Sequence, residues 1–212
     1  MSERYVPAFG RAGLTALYDP VVAVTMREGT WRPAAVARLT EGLGSGSLVL
    51  DVGAGTGSST GLIAAATGGR VIGIDGDGEI LERARRKVPA PDVTWAHARA
   101  DELPVDSGTA DAAHISLVLH HLTRRGKAGA LAELRRVLVP GGRLVVADFG
   151  RPAGLTRIGF AGIRVLDGFE TTAEHARGEI PGLIRAAGFA EVEVFDRLDT
   201  VWGRLELIAA SA

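Results

Sequence analysis

A chain of 212 residues, 46% hydrophobic and 23% charged, is long enough for one large domain around a single core and falls outside the disordered and fibrous classes. A formal net charge of −1 supplies no basic field for nucleic acid or anionic lipid, and the lack of cysteine excludes a disulfide framework, a thiolate metal site and a cysteine nucleophile. The start, Met1-Ser2-Glu3-Arg4, has no apolar signal core and no later apolar run reaches membrane-spanning length, so a cytoplasmic protein with no membrane partner is expected.

Residues 1–46 precede the first strand. Leu14, Leu17, Tyr18, Val21, Val22 and Val24 have mixed spacing broken at Pro20, and Trp31 to Leu43 reads as a helix entered through Pro33. Two roles are open for this preamble: helices that cap one end of a sheet, or a lid. Tyr5, Phe9, Tyr18 and Trp31 cluster here in a chain that is only 5% aromatic, and an apolar lid carrying them would contact a substrate and exclude water.

Leu48 to Val52 reads as a buried parallel strand, and Gly53-Ala54-Gly55-Thr56-Gly57 follows it, before a small-residue segment from Thr60 to Thr67 that can open a helix. Glycines at alternate positions let the backbone turn sharply and let a ligand lie against bare peptide groups, while the helix start favours a carboxylate or phosphate. The loop is not the dinucleotide pattern G-x-G-x-x-G, since the third glycine comes one residue early, and no G-K-[ST] follows for a P-loop. Asp51, near the strand end, repels a pyrophosphate but can pair with an ammonium group or fix the loop.

Arg70 to Ile74 reads as the second strand, ending at Asp75. Asp75 lies about 20 residues beyond the glycine loop, where a βαβ unit delivers a carboxylate to a ribose; the alternative is a helix cap, for which Asp77 is better placed. Val93 to Ala96 is a third strand, and Ala110 to Leu117 a fourth that runs into His120 and His121. Adjacent histidines without H-x₃-H or H-x-x-E-H spacing do not predict a metal; a histidine here suits a general base or a backbone partner at a helix start. Leu131 to Leu138 is an amphipathic helix broken by Pro140-Gly141-Gly142, and Arg143 to Ala147 begins a fifth strand closed by Asp148. Residues 150–168 show no clean period. A helix from Thr171 to Ala187, interrupted near Gly178 and Pro181, and two strands, Glu191 to Asp196 and about Val201 to Ala209, complete an α/β, doubly wound, Rossmann-like seven-stranded sheet with an antiparallel C-terminal pair.

Taken in order, the glycine loop, Asp75, Ala100-Asp101, the Ser116 to Leu122 segment and the Pro140-Gly141-Gly142 turn resemble class I S-adenosylmethionine (SAM)-dependent methyltransferases over residues 47–212, most closely the ubiquinone and menaquinone biosynthesis branch. The resemblance implies one domain with an N-terminal cap (1–46), a SAM-binding half (47–150) and an acceptor-side segment (151–212). It implies that SAM, with S-adenosylhomocysteine as product, is held by Asp51, Gly53, Ala54, Gly55, Thr56, Gly57, Asp75, Gly76, Ala100, Asp101, Leu103, Ser116 and His121. For a hydroxyl acceptor it implies a base at His120 or His121, with His175 and Asp148 behind them. The acceptor would be a small molecule, with no nucleic-acid partner. A non-methylating, cyclase-type enzyme of the same fold and a SAM-binding regulator are the alternatives.

Overall fold

The computed structural model describes residues 23–212, so Tyr5, Phe9 and Tyr18 lie outside the described residues. After α1 (Glu28–Thr40) come β1 (Leu48–Val52), α2 (Ser58–Thr67), β2 (Arg70–Asp75), α3 (Gly78–Lys87), β3 (Val93–His97), β4 (Ala110–Ser116), α4 (Arg124–Val137) and β5 (Leu138–Phe149). Then follow α5 (Thr156–Asp167), the short α6 (Ala173–Arg177) and α7 (Ile180–Ala186), and finally β6 (Ala190–Asp199) and β7 (Arg204–Ser211).

The strands form one seven-stranded sheet in the order β3-β2-β1-β4-β5-β7-β6. β1 to β5 are parallel, while β7 runs antiparallel to both β5 and β6. This is the expected doubly wound sheet, with one refinement: β7 lies between β5 and β6, and Leu205 to Ala210 are all buried. Strand order reverses between β1 and β4, and such a switch point opens a crevice at the carboxyl ends of the strands. Among the described residues no helix is long and apolar enough to cross a membrane.

Side-chain alternation along β1 builds a core on each face. Leu50 and Val52 pack with Ile115, Val146 and the α4 residues Leu131 and Leu134; Val49 packs on the other side with Val71, Val145 and α1. Each buried Leu or Val contributes about 1.5–3 kcal/mol. In α1 the residues at i, i+4 and i+8, Trp31, Ala35 and Leu39, all face this second core, and Trp31 has no exposed surface. Trp31 is therefore a packing residue, not the substrate-contacting aromatic expected of a lid.

Local chemistry sets the helix ends. Asp77 accepts from the N–H groups of Glu79 and Ile80 at 2.9 and 3.2 Å and starts α3. Thr123 does the same for α4 through Gly126, so that helix begins seven residues before the apolar stripe that signals it. Residues 139–142 bulge out of β5, since Ala110 pairs with Leu138 and Ala112 already with Arg143. The aperiodic segment after β5 contains α5. Its Ile158, Val165 and Leu166 are exposed and only Thr156 and Phe160 are buried, so most of its apolar side chains do not serve core packing.

Candidate active site

A cavity of about 540 Å³ opens where the sheet order reverses, at the ends of β1, β2 and β4. Its floor is the loop from Gly53 to Thr56. Gly53, Gly55 and Gly57 have φ of 73°, 54° and 80°, values that favour glycine. The N–H groups of Gly53 and Ala54 donate to the Ile74 carbonyl at 2.7 and 3.0 Å, tying the loop to β2. A Cβ on Gly53 would stand 2.1 Å from Val118 Cγ2. Gly53→Ala is therefore expected to displace the β4 exit against this floor, weakening SAM binding at least tenfold; calorimetric affinity close to wild type would show that the loop has room to yield.

Asp75 braces the loop from the side. Its Oδ2 accepts from Gly55 N–H at 2.8 Å and its Oδ1 from Asp77 N–H at 2.9 Å, leaving lone pairs on both oxygens for a ligand. Burial raises the Asp75 carboxyl, and the two backbone bonds oppose that shift. Gly76, Ala100 and Asp101 line the same wall, while Ser116 and His121 line the β4 side. Asp101 forms a two-pronged pair with Arg99 at 2.8 Å, which holds its carboxyl below the usual range.

Several expected residues stand elsewhere. Asp51 does not line the cavity. It shares the sheet face of Val49, is fully buried, and accepts from Thr60 Oγ1 at 2.6 Å and His114 Nδ1 at 2.8 Å, so it fixes the start of α2 from behind. Gly57 also stands off the cavity, where a Cβ would come within 2.8 Å of Trp95 Cη2, and Leu103 is turned into the core beneath α4. His120, His175 and Asp148 are buried behind the wall; only His121 of the expected histidines lines the cavity.

The β4 exit explains that division. Leu117 has φ 54°, unusual for a side chain of its size, and donates its N–H to Ala147. The chain then makes a 3-10 turn, Leu119–His121. Asp148 holds that turn, accepting from Leu119 N–H at 2.8 Å, Phe149 N–H at 2.7 Å and His120 Nδ1 at 2.7 Å. Burial alone would raise the Asp148 carboxyl, but His120 and His175 beside it keep it below the usual range. Burial, reinforced by His120, depresses His121 to about 3; burial depresses His175 to about 4. Both imidazoles are therefore neutral at pH 7.

Three contributors carry no sequence signal. Arg32 of α1 lines the cavity, bridged to Glu28 at 2.9 Å and to Ser59 Oγ at 2.5 Å. Asp167, the last residue of α5, lies 3.5 Å from His121 Nδ1 and 3.7 Å from His120 Nε2. Thr171 lines the cavity and gives its carbonyl to Lys127, a fully buried ammonium that also binds the Leu122 carbonyl and Glu174.

A doubly wound sheet of this order, with a glycine loop and a strand-end acid around one cavity, is the architecture of a SAM-binding α/β enzyme. The chain matches the methyltransferase domain family over residues 49–142. It is 31% identical over 209 residues to the demethylmenaquinone methyltransferase of Clavibacter sepedonicus, covering 85% of this chain and 83% of that one. It is 36% identical over 160 residues to the O-methyltransferase cnsE of Penicillium expansum, covering 71% of this chain and 55% of that one. Among solved structures, a SAM-dependent methyltransferase from Aquifex aeolicus superposes with a TM-score of 0.67 at 21% identity, over 96% of this chain and 100% of that one. The chain belongs to the class I SAM-dependent methyltransferases.

Proposed function

We propose that this enzyme methylates a small, hydroxyl-bearing acceptor of quinol or phenol type, on oxygen or on ring carbon. The observation that carries the reading is that one cavity is lined at once by the glycine loop, by Asp75 and Asp101, and by His121. The names of the Clavibacter and Penicillium relatives point the same way, one to a quinone precursor and one to methylation at oxygen.

The residues fit SAM. A Cβ on Gly55 would meet no protein atom within 4 Å, so the space above this cavity-lining glycine is left to a ligand. In this reading Asp75 grips the ribose hydroxyls, Ala100 and Asp101 flank the adenine, and Arg32 takes the amino-acid carboxylate beside the loop amides. SAM supplies an already activated methyl group when bound. What remains for the protein is to position the acceptor, exclude water and manage the acceptor's proton. Leu117, Val118 and Leu122 give the acceptor end an apolar wall, and His121 offers it a neutral imidazole. The division into a SAM-binding half (47–150) and an acceptor-side segment (151–212), which brings Asp167 and Thr171, belongs to the same reading, as does a cytoplasmic location without nucleic-acid partners.

Asp75→Ala is expected to weaken SAM binding by roughly 1.5–3 kcal/mol, the scale of hydrogen bonds to a charged group. Unchanged affinity by calorimetry would restrict Asp75 to bracing the loop. The acceptor class is tested by screening hydroquinones, phenols and hydroxyacids with methyl-labelled SAM and locating the label by mass spectrometry. Label on a ring oxygen or ring carbon supports the assignment. Conversion of an acceptor without consumption of SAM would overturn it.

A further inference from the structure

We propose that His120, His121 and Asp167 form a binding site for a divalent transition-metal ion at the acceptor end of the cavity. Their ligand atoms all lie within 4.8 Å of one another. Asp167 turns one oxygen to each histidine, Oδ1 to His121 Nδ1 at 3.5 Å and Oδ2 to His120 Nε2 at 3.7 Å. Both separations exceed the roughly 2.7–3.2 Å of a hydrogen bond. They instead match neighbouring ligands around one ion, which stand about 3.4 Å apart when each is about 2.1 Å from a tetrahedral centre.

The proton inventory leads to the same place. Asp148 is an acceptor already taking two backbone N–H groups, so the His120 Nδ1 beside it at 2.7 Å carries the proton. His120 Nε2 is then the ring nitrogen left to face Asp167 Oδ2. An imidazole fixed by a carboxylate on its far nitrogen is also the usual support of a metal-binding histidine. Asp167 would also gain from a cation. It ends α5, where the helix dipole disfavours negative charge, and among the described residues no arginine or lysine pairs with it.

Two imidazoles and one carboxylate with open positions suit Zn²⁺, Fe²⁺, Co²⁺ or Mn²⁺ better than Mg²⁺ or Ca²⁺. His121 lines the cavity, so the open positions are available to an acceptor oxygen, whose hydroxyl an ion would acidify. That use rests on the methyl-transfer reading; the site itself does not.

The test is titration of tag-free, chelator-dialysed full-length chain with Zn²⁺, and with Co²⁺ as a spectroscopic probe, with SAM affinity measured separately on the metal-free protein. One ion per chain at micromolar strength is expected, with a d–d band from imidazole coordination. Asp167→Asn and His121→Ala should each weaken binding at least tenfold, and Asp148→Asn by about 10–100-fold through His120. His121 is the most exposed of the three, so its variant carries the test should a buried substitution fail to fold. No saturable binding, or binding unchanged in both Asp167→Asn and His121→Ala, overturns the site. Metal-free protein that still binds SAM keeps such a failure distinct from failure of the cofactor reading.

Discussion

Replacing His121 with alanine is expected to lower methyl transfer by about 10²–10⁴-fold while SAM affinity stays within a few-fold. His121 is the one imidazole of the Asp148 cluster that reaches the cavity wall, and it lines the same cavity as Asp75 and Asp101. Its loss therefore leaves the ribose and adenine contacts proposed for Asp75 and Asp101 in place and removes the one imidazole that lines the cavity among the described residues. Whether the imidazole meets the acceptor's proton itself or through a bound ion, the split between turnover and SAM binding is the same. Single-turnover rates with labelled SAM, paired with calorimetry, read that split. Full turnover in the variant would move acceptor activation to another group.

Lys127→Ala is expected to destabilise the fold by about 3 kcal/mol, the lower end of what breaking a buried ion pair costs. The ammonium has no exposed surface and donates to Leu122 O at 2.6 Å, Thr171 O at 2.5 Å and Glu174 Oε2 at 3.0 Å. Burial pulls Lys127 down from its usual range. For Glu174 burial acts upward, but the bond and charge of Lys127, a backbone N–H and the Arg177 charge together outweigh it and the carboxyl ends below its usual range. Alanine would leave a buried carboxylate and two carbonyls without this donor. Arg124 and Arg177, at 3.6 and 3.5 Å from the other Glu174 oxygen, limit the damage. Thermal unfolding should show a Tm lower by roughly 6–12 °C for a chain of this size. Because Lys127 joins α4 to the Thr171 stretch of the cavity wall, acceptor binding should weaken as well. A Tm within a degree of wild type would mean that water replaces the ammonium.

Much of this molecule can be read from local pattern. The apolar run of β1, the loop glycines and the Asp77 cap are decided within a few residues of themselves, and they fixed the sheet and the cavity floor in advance. The acceptor end was far less legible. Whether His120 or His121 faces the cavity depends on the positive φ of Leu117 and on Asp148, 28 residues away. Asp51 looks like a ligand residue in the string Leu48 to Gly57, but strand alternation turns it behind the floor. The burial of Lys127 has no local signal, because it depends on Glu174, 47 residues on. Asp167 is missed when residues 150–168 are read as aperiodic, although residues 156–167 segregate apolar and polar side chains with the helical period that marks α5. Trp31 decides between the two roles left open for its helix, since the i, i+4 spacing with Ala35 sends it into the core and not to a lid surface.

The central claim, that the cavity between the glycine loop, Asp75 and His121 is built for SAM, is tested most directly by calorimetric titration of the full chain with SAM, S-adenosylhomocysteine and NAD. The account predicts one micromolar site per chain for SAM and S-adenosylhomocysteine, weakened in Asp75→Ala, and no detectable binding of NAD. Preferential NAD binding, or SAM affinity indifferent to both Gly53→Ala and Asp75→Ala, would contradict it.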